Sequence, residues 1–176
     1  MRAAASTGQR RSFYPRVQIA RRFAYIQSRW TNWIDMMATL DKIIEDFSFL
    51  DDWEDRYRYV IELGKALPDL PEDKRTLENK VQGCASQVWL VTHASGDPEN
   101  PVLTFEGDSD AHIVRGLVAI VLAIYSGKPA SEIAALDALD VFGKIDLVEH
   151  LSSQRANGLR SMIKRIREEA RVRAAA

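Results

Sequence analysis

The sequence predicts an α+β fold, a small antiparallel β-sheet of about three strands packed against several α-helices. Three observations carry that expectation. Apolar residues recur at helical spacing near both ends of the main body, with Leu40, Ile43, Ile44 and Phe47 on one stripe and Leu159, Met162, Ile163 and Ile166 on another. Between them lie two β-branched and aromatic runs, Val88 to Thr92 and Val102 to Glu106, joined by the turn-rich Ser95-Gly96-Asp97-Pro98-Glu99-Asn100-Pro101. The apolar run from Leu117 to Tyr125 falls short of the roughly 18–20 residues that span a bilayer, so it reads as a buried helix.

In chain order, residues 1–36 come first and stand apart in charge. They hold seven arginines and one acid, Asp35, a net +6, which leaves −7 in the remainder of a chain of overall charge −1. This Arg-rich extension has two readings, an organellar transit peptide or upstream sequence ahead of a start at Met36-Met37, and its modest serine content favours the second. Tyr25 to Ile34, with Trp30 and Trp33, could form a short helix. One domain is expected over residues 37–176, since 176 residues with 46% apolar content suffice for one core.

The first helix is the Leu40 stripe. Asp52 is placed to cap a second helix whose apolar side carries Trp53, Tyr57, Val60 and Ile61 as core residues, with Gly64 near its end. Pro68 and Pro71 mark a loop. Lys80 to Gly83 is a candidate third strand beside the two runs above. The apolar helix starts near Asp110 and stops at Gly127 and Pro129, short helices follow around Ser131 to Leu136 and Ile145 to Leu151, and the Leu159 stripe closes the chain.

Composition excludes several function classes. The acidic body argues against nucleic-acid binding, and no segment is long enough to cross a membrane as a helix. Cys84 is the sole cysteine, so neither a disulfide framework nor a multi-thiolate metal site can form, consistent with a reducing compartment. His93, His112 and His150 stand at no metal-binding spacing, and the acidic pairs Asp51-Asp52 and Glu54-Asp55 suit a helix start. What remains for Cys84 is one-sulfur chemistry: attack, covalent holding and transfer. A free cysteine is also often just a small buried hydrophobe, and spacing alone leaves both roles open.

The surrounding nonapeptide narrows the choice. Val81-Gln82-Gly83-Cys84-Ala85-Ser86-Gln87-Val88-Trp89 resembles the signature of the SufE-like cysteine desulfuration proteins, the sulfur acceptors of iron–sulfur cluster assembly. Further segments agree in order: Trp53 to Gly64, Gly107 to Ala111 with Ile113 to Leu117, and Leu151 to Leu159. The resemblance runs from about Met37 to the last helix and implies a SufE/NifU-like fold.

It further implies that Cys84 takes persulfide sulfur from a pyridoxal-phosphate-dependent cysteine desulfurase of the SufS-like or CsdA-like kind, stimulates that enzyme, and passes the sulfur to a SufB-like scaffold complex. Gln82, Gly83, Ser86, Asp110 and Arg155 fall in segments the family uses near the loop and partner face; helix capping by Asp110 and simple solvation of Arg155 are the plain alternatives. By the resemblance the protein needs no cofactor of its own, because the pyridoxal phosphate belongs to the partner, and it works in the cytoplasm, or in an organelle if residues 1–36 are a transit peptide. The chain offers no basic residue near Cys84 beyond Lys80, so activation is expected from loop backbone or from the partner, which suits an accessory protein more than a self-sufficient catalyst. A single-cysteine thiol peroxidase or redox sensor is the competing reading.

Overall fold

The structure, a computed structural model, describes residues 40–175; the extension at 1–36 and the short helix expected at Tyr25 to Ile34 lie outside the described residues. Helix α1 (Leu40–Phe49) buries Ile43 and Phe47 from the expected stripe. Helix α2 (Trp53–Ala66) is capped by Asp52, whose carboxylate accepts from the Glu54 amide at 2.6 Å. The two helices are joined side by side: Tyr59 donates to Asp46 at 2.6 Å and meets Phe47 edge-on at 5.4 Å.

Helix α2 stops at Ala66 because Leu67 precedes Pro68, which drives Leu67 to an extended ψ of 135°. Gly64 lies near the helix end as expected, but it keeps a helical backbone rather than a left-handed one and serves packing. Its partner is Gly116 on α3 (His112–Tyr125): a Cβ on Gly64 would stand 2.6 Å from the Gly116 amide nitrogen, and a Cβ on Gly116 would collide with the Val60 carbonyl. Helix α3 is buried on almost every side, from Ile113 through Tyr125. It begins at His112, two residues later than expected, and Gly127, at a φ of +82°, turns the chain after it.

The sheet is antiparallel, in the order β1 (Val88–Ser95), β2 (Val102–Ser109), β3 (Lys128–Pro129). Val88 pairs with Ser109 and Ser95 with Val102, so one face carries Leu90, Thr92, Phe105 and Gly107 and the other Trp89, His93, Glu106 and Asp108. The first face meets α3, where a Cβ on Gly107 would lie 2.6 Å from Val118. The third strand differs from the expectation. Lys80 makes only an isolated bridge to Trp89, because the chain turns away at Gly83, whereas β3 pairs Lys128 and Pro129 with Leu103 and Val102. With no N–H on Pro129 and helix α4 starting at Ala130, β3 stays at two residues.

Helix α4 (Ala130–Ala135) is followed by α5 (Ala138–Lys144), capped by Asp137, where the sequence suggests a helix only from Ile145 to Leu151. That later segment holds a single 3₁₀ turn, Val148–His150, because Ile145 and Leu147 are drawn inward and Asp146 takes a φ of 50° between them. Helix α6 (Ser153–Ala174) closes the fold with Leu159, Met162, Ile163 and Ile166 buried as expected. Trp53, Tyr57 and Ile61 are half-buried rather than core; only Val60 of that expected set is fully covered.

The polar face of the sheet is organised by two carboxylates. Asp108, 1% exposed, accepts from the Leu70 amide at 3.2 Å and pairs with Arg75 at 2.8 Å and Arg115 at 3.3 Å. Glu106 pairs with Lys74 and His93, both at 2.9 Å. Burial resists its charge, but the His93 and Lys74 hydrogen bonds outweigh that penalty and hold its pKa at about 2.

Two outcomes follow from this packing. Gly116→Ala should destabilise the protein by at least about 1–3 kcal/mol, the usual cost of overpacking, read as a lower urea midpoint at unchanged m-value. Because the Glu106 pKa is depressed, its stabilising contribution is complete above its ordinary value of 4.5 and is lost as pH falls towards about 2. Glu106→Gln should therefore flatten the acid limb of stability against pH in that window, measured by urea titrations at each pH.

Candidate functional site

The thiol sits where β1 begins. Val81 donates to Val88 at 2.8 Å, which closes the ladder and leaves residues 82–87 as a loop. Gly83 adopts a φ of +86°, a left-handed conformation that glycine takes without a Cβ penalty. A side chain there would also meet Ser161 Oγ of α6 at 2.8 Å, so the loop lies against that helix. Gly158, one turn earlier on the same face of α6, opens the space that Cys84 fills: a Cβ on Gly158 would stand 3.3 Å from Cys84 Sγ.

In that seat Cys84 is half-buried and its S–H points at the Gly158 carbonyl, 3.5 Å away. A carbonyl oxygen accepts a proton but offers nothing to a thiolate. Burial pushes the Cys84 pKa above its ordinary value, so the resting group is the protonated thiol. The return of the loop is fastened at Gln87, whose amide donates to Asp110 Oδ1 at 3.0 Å and whose carbonyl accepts from Ser109 Oγ at 2.8 Å. Asp110 therefore braces the loop rather than capping α3, whose N-cap is Ala111.

A cleft of about 290 Å³ opens beside the sulfur, walled by Cys84, Ala85 and Ser86 of the loop, Val114 of α3, and Ser152, Gln154, Arg155 and Gly158 at the start of α6. Ser152 caps α6 by accepting from the Arg155 amide at 3.5 Å. The Arg155 guanidinium lies 6.0 Å from the centre of the Tyr57 ring, and one turn earlier Trp53 stacks on His150 at 3.9 Å. Trp53 and Tyr57, half-buried on α2, thus each face a side chain at or just before the start of α6.

Of the residues expected from sequence, Cys84, Ser86 and Arg155 share the cleft, Gly83 shapes the loop and Asp110 braces it. Gln82 is exposed on the loop and does not line the cleft. Sequence reasoning does not single out Gly158, Val114 or Tyr57 for the site. A signal exists for Gly158, since glycine inside a helix costs stability and points to a close approach. Among the described residues no cluster of three or more histidine, cysteine or acidic side chains could hold a metal ion, and no helix is long and apolar enough to cross a membrane.

Comparison with known proteins decides the family. The family model described as "SufE: Fe-S metabolism associated domain" matches residues 41–170. The chain belongs to the SufE family. An uncharacterized SufE-like protein of Rhizobium etli is 84% identical over 140 residues, covering 80% of this chain and 95% of that one. Another from Rhizobium meliloti is 79% identical over 134 residues, 76% of this chain and 96% of its own. In structure, a hypothetical protein from Thermus thermophilus superposes with a TM-score of 0.60 at 16% identity, covering 76% of this chain and 94% of that chain, a likeness of fold alone. Membership of the SufE family associates this chain with iron–sulfur metabolism.

The seat has a direct chemical readout. Alkylation of Cys84 by iodoacetamide should follow the thiolate fraction with a midpoint above the roughly 8.5 of an unperturbed cysteine. In Gly158→Ala the added methyl should displace the sulfur towards solvent, raise the alkylation rate several-fold and lower that midpoint. An unchanged rate and midpoint would show that Gly158 does not govern access.

Proposed function

We propose that this SufE-family protein is a sulfur acceptor and carrier that takes persulfide sulfur on Cys84 from a pyridoxal-phosphate-dependent cysteine desulfurase, SufS-like or CsdA-like. By clearing the persulfide it stimulates that enzyme, and it hands the sulfur to a SufB-like iron–sulfur scaffold. The observation that carries this reading is the placement of the chain's sole cysteine on a loop turned by Gly83, half-buried against α6 at the wall of a cleft. In the transfer, the Cys84 thiolate attacks the outer sulfur of the donor Cys–S–SH, the donor S–S bond breaks, and the electron pair leaves on the donor thiolate. The sulfur passes on at the same oxidation level, so no oxidant or reductant is consumed.

In this reading the protein has no cofactor of its own and is an accessory of sulfur transfer in the cytoplasm rather than a self-sufficient catalyst. The acceptor domain is residues 37–176, with 1–36 an appended segment. Gly83 supplies the turn that lets the loop re-aim, and Gln82, Ser86, Asp110 and Arg155 form the loop and partner face. The protonated resting thiol supports a division of labour in which the partner's site completes activation. It also weighs against a peroxidase or redox sensor, which needs a ready thiolate held by cations or N–H donors, whereas the Cys84 sulfur faces a carbonyl.

The deciding experiment mixes the protein with a cognate desulfurase and L-cysteine. Wild type should gain about 32 Da per transferred sulfur, reversed by a reductant, and should accelerate alanine release. Cys84→Ser should fold normally, gain no mass and give no acceleration, because a serine hydroxyl is far too weak an acid to replace a thiolate. Retained acceleration with the serine variant would refute the relay.

A further inference from the structure

We propose that the cleft beside Cys84 is a subsite for a small carboxylate-bearing sulfur compound, the persulfide of free cysteine, with Arg155 as the anchor for its carboxylate. The inference rests on the sulfur-acceptor reading of Cys84 and adds a low-molecular-weight donor to the protein partner.

Arg155 stands out among the half-buried arginines. Arg75, Arg115, Arg165, Arg167 and Arg173 each hold a carboxylate, and Arg56 donates to the Leu50 carbonyl at 2.6 Å. Among the described residues the Arg155 side chain has no acid partner and no side-chain hydrogen bond, and its guanidinium lies 6.0 Å from the centre of the Tyr57 ring. A ring contact uses none of the guanidinium N–H donors, so the fork that matches a carboxylate stays available.

That cation and the only thiol wall the same space. Its volume, about 290 Å³, lies just below the roughly 300–1,000 Å³ of pockets for drug-sized ligands, a size that admits an amino acid. Val114, Ala85 and Gly158 contribute apolar lining suited to a methylene carbon, and Ser152 and Gln154 contribute polar lining beside Arg155 in sequence. Cysteine persulfide has the matching order of groups: carboxylate, methylene, sulfur, outer sulfur.

The Cys84 thiolate would attack that outer sulfur, the ligand S–S bond would break, and the electron pair would leave on the cysteine thiolate. The same path in reverse lets free cysteine discharge a sulfur-loaded Cys84. No other co-reactant is required.

The test uses the full-length protein and two unreactive probes. S-methyl-L-cysteine carries the carboxylate, and S-methylcysteamine is the same molecule without it. S-methyl-L-cysteine should slow N-ethylmaleimide labelling of Cys84 several-fold, saturably, and S-methylcysteamine should not. Arg155→Gln should abolish that protection and Arg155→Lys should keep part of it, with thermal melts confirming that both variants fold. After loading with inorganic polysulfide and desalting, L-cysteine should discharge wild type several-fold faster than cysteamine, a preference lost in Arg155→Gln. Equal or absent protection by the two probes, equal protection by inorganic sulfate, or protection that survives in Arg155→Gln would overturn the proposal. None of those outcomes bears on the acceptor role, which desulfurase stimulation by wild type and Cys84→Ser tests separately.

Discussion

A helix that is apolar on every side must be covered on every side, and α3 imposes that demand on the rest of the chain. From Ile113 to Tyr125 every residue but Arg115 and Ala123 is buried. Helix α2 approaches closely enough that Gly64 and Gly116 allow no side chain between the backbones, and the sheet comes close enough to require Gly107 opposite Val118. Small residues therefore stand on both sides of α3. The last turn of α3 carries the Tyr125 hydroxyl into the interior, where it donates to the Leu136 carbonyl at 3.1 Å and accepts from the Ala138 amide at 3.2 Å, fixing the link from α4 to α5. The first turn brings Val114 to the cleft, so one wall of the site belongs to the best-packed element of the fold.

The thiol is held under different physics. Its seat offers a carbonyl acceptor, partial burial and a glycine in place of a side chain, all of which suit S–H and oppose S⁻. Each unit of pKa elevation corresponds to about 1.4 kcal/mol against ionisation. The bond that keeps the sulfur in place is a long, weak S–H···O contact. Reactivity is thus suppressed by an arrangement that costs little to leave, which is the combination a carrier needs if its thiol is to stay quiet between partners. N–H donors or a cation placed beside the sulfur would reverse that preference.

What the sequence made legible was whatever depended on local pattern. The stripes of α1 and α6, the Asp52 cap and the two long strands each follow from spacing within one segment. Features that depend on distant partners were hidden. Gly64 reads as a helix end by position, but Gly116, which gives it its role, is 52 residues away. Strand β3 is two residues long and includes a proline, so it has no pattern of its own and exists only because β2 supplies the pairing. Trp53 and Tyr57 have the composition of core residues but are half-buried, Trp53 stacked on His150 of the α5–α6 connection and Tyr57 facing Arg155 in the first turn of α6. At the site, the nonapeptide marked Cys84 and its loop, whereas the walls, Gly158 and Val114, come from helices that only the fold brings there.

Asp108 connects the fold to the loop. A buried carboxylate is tolerated only when paired, and Asp108 draws Arg75, Arg115 and the Leu70 amide onto itself. Arg115 in turn donates to the Leu67 carbonyl at 2.7 Å, so both ends of the segment from Leu67 to Arg75 are tied to the end of β2. Ser109 and Asp110, the next residues, hold Gln87. Val81 and Asn79 are hydrogen-bonded to β1 just before the cysteine. The chain on either side of Cys84 is therefore anchored to the same corner of the sheet, leaving residues 82–86 as the span between the anchors. Within that short span Gly83 occupies a backbone region denied to most residues, so the turn that seats the thiol against Gly158 is made by the residue next to the thiol, between segments the sheet already holds.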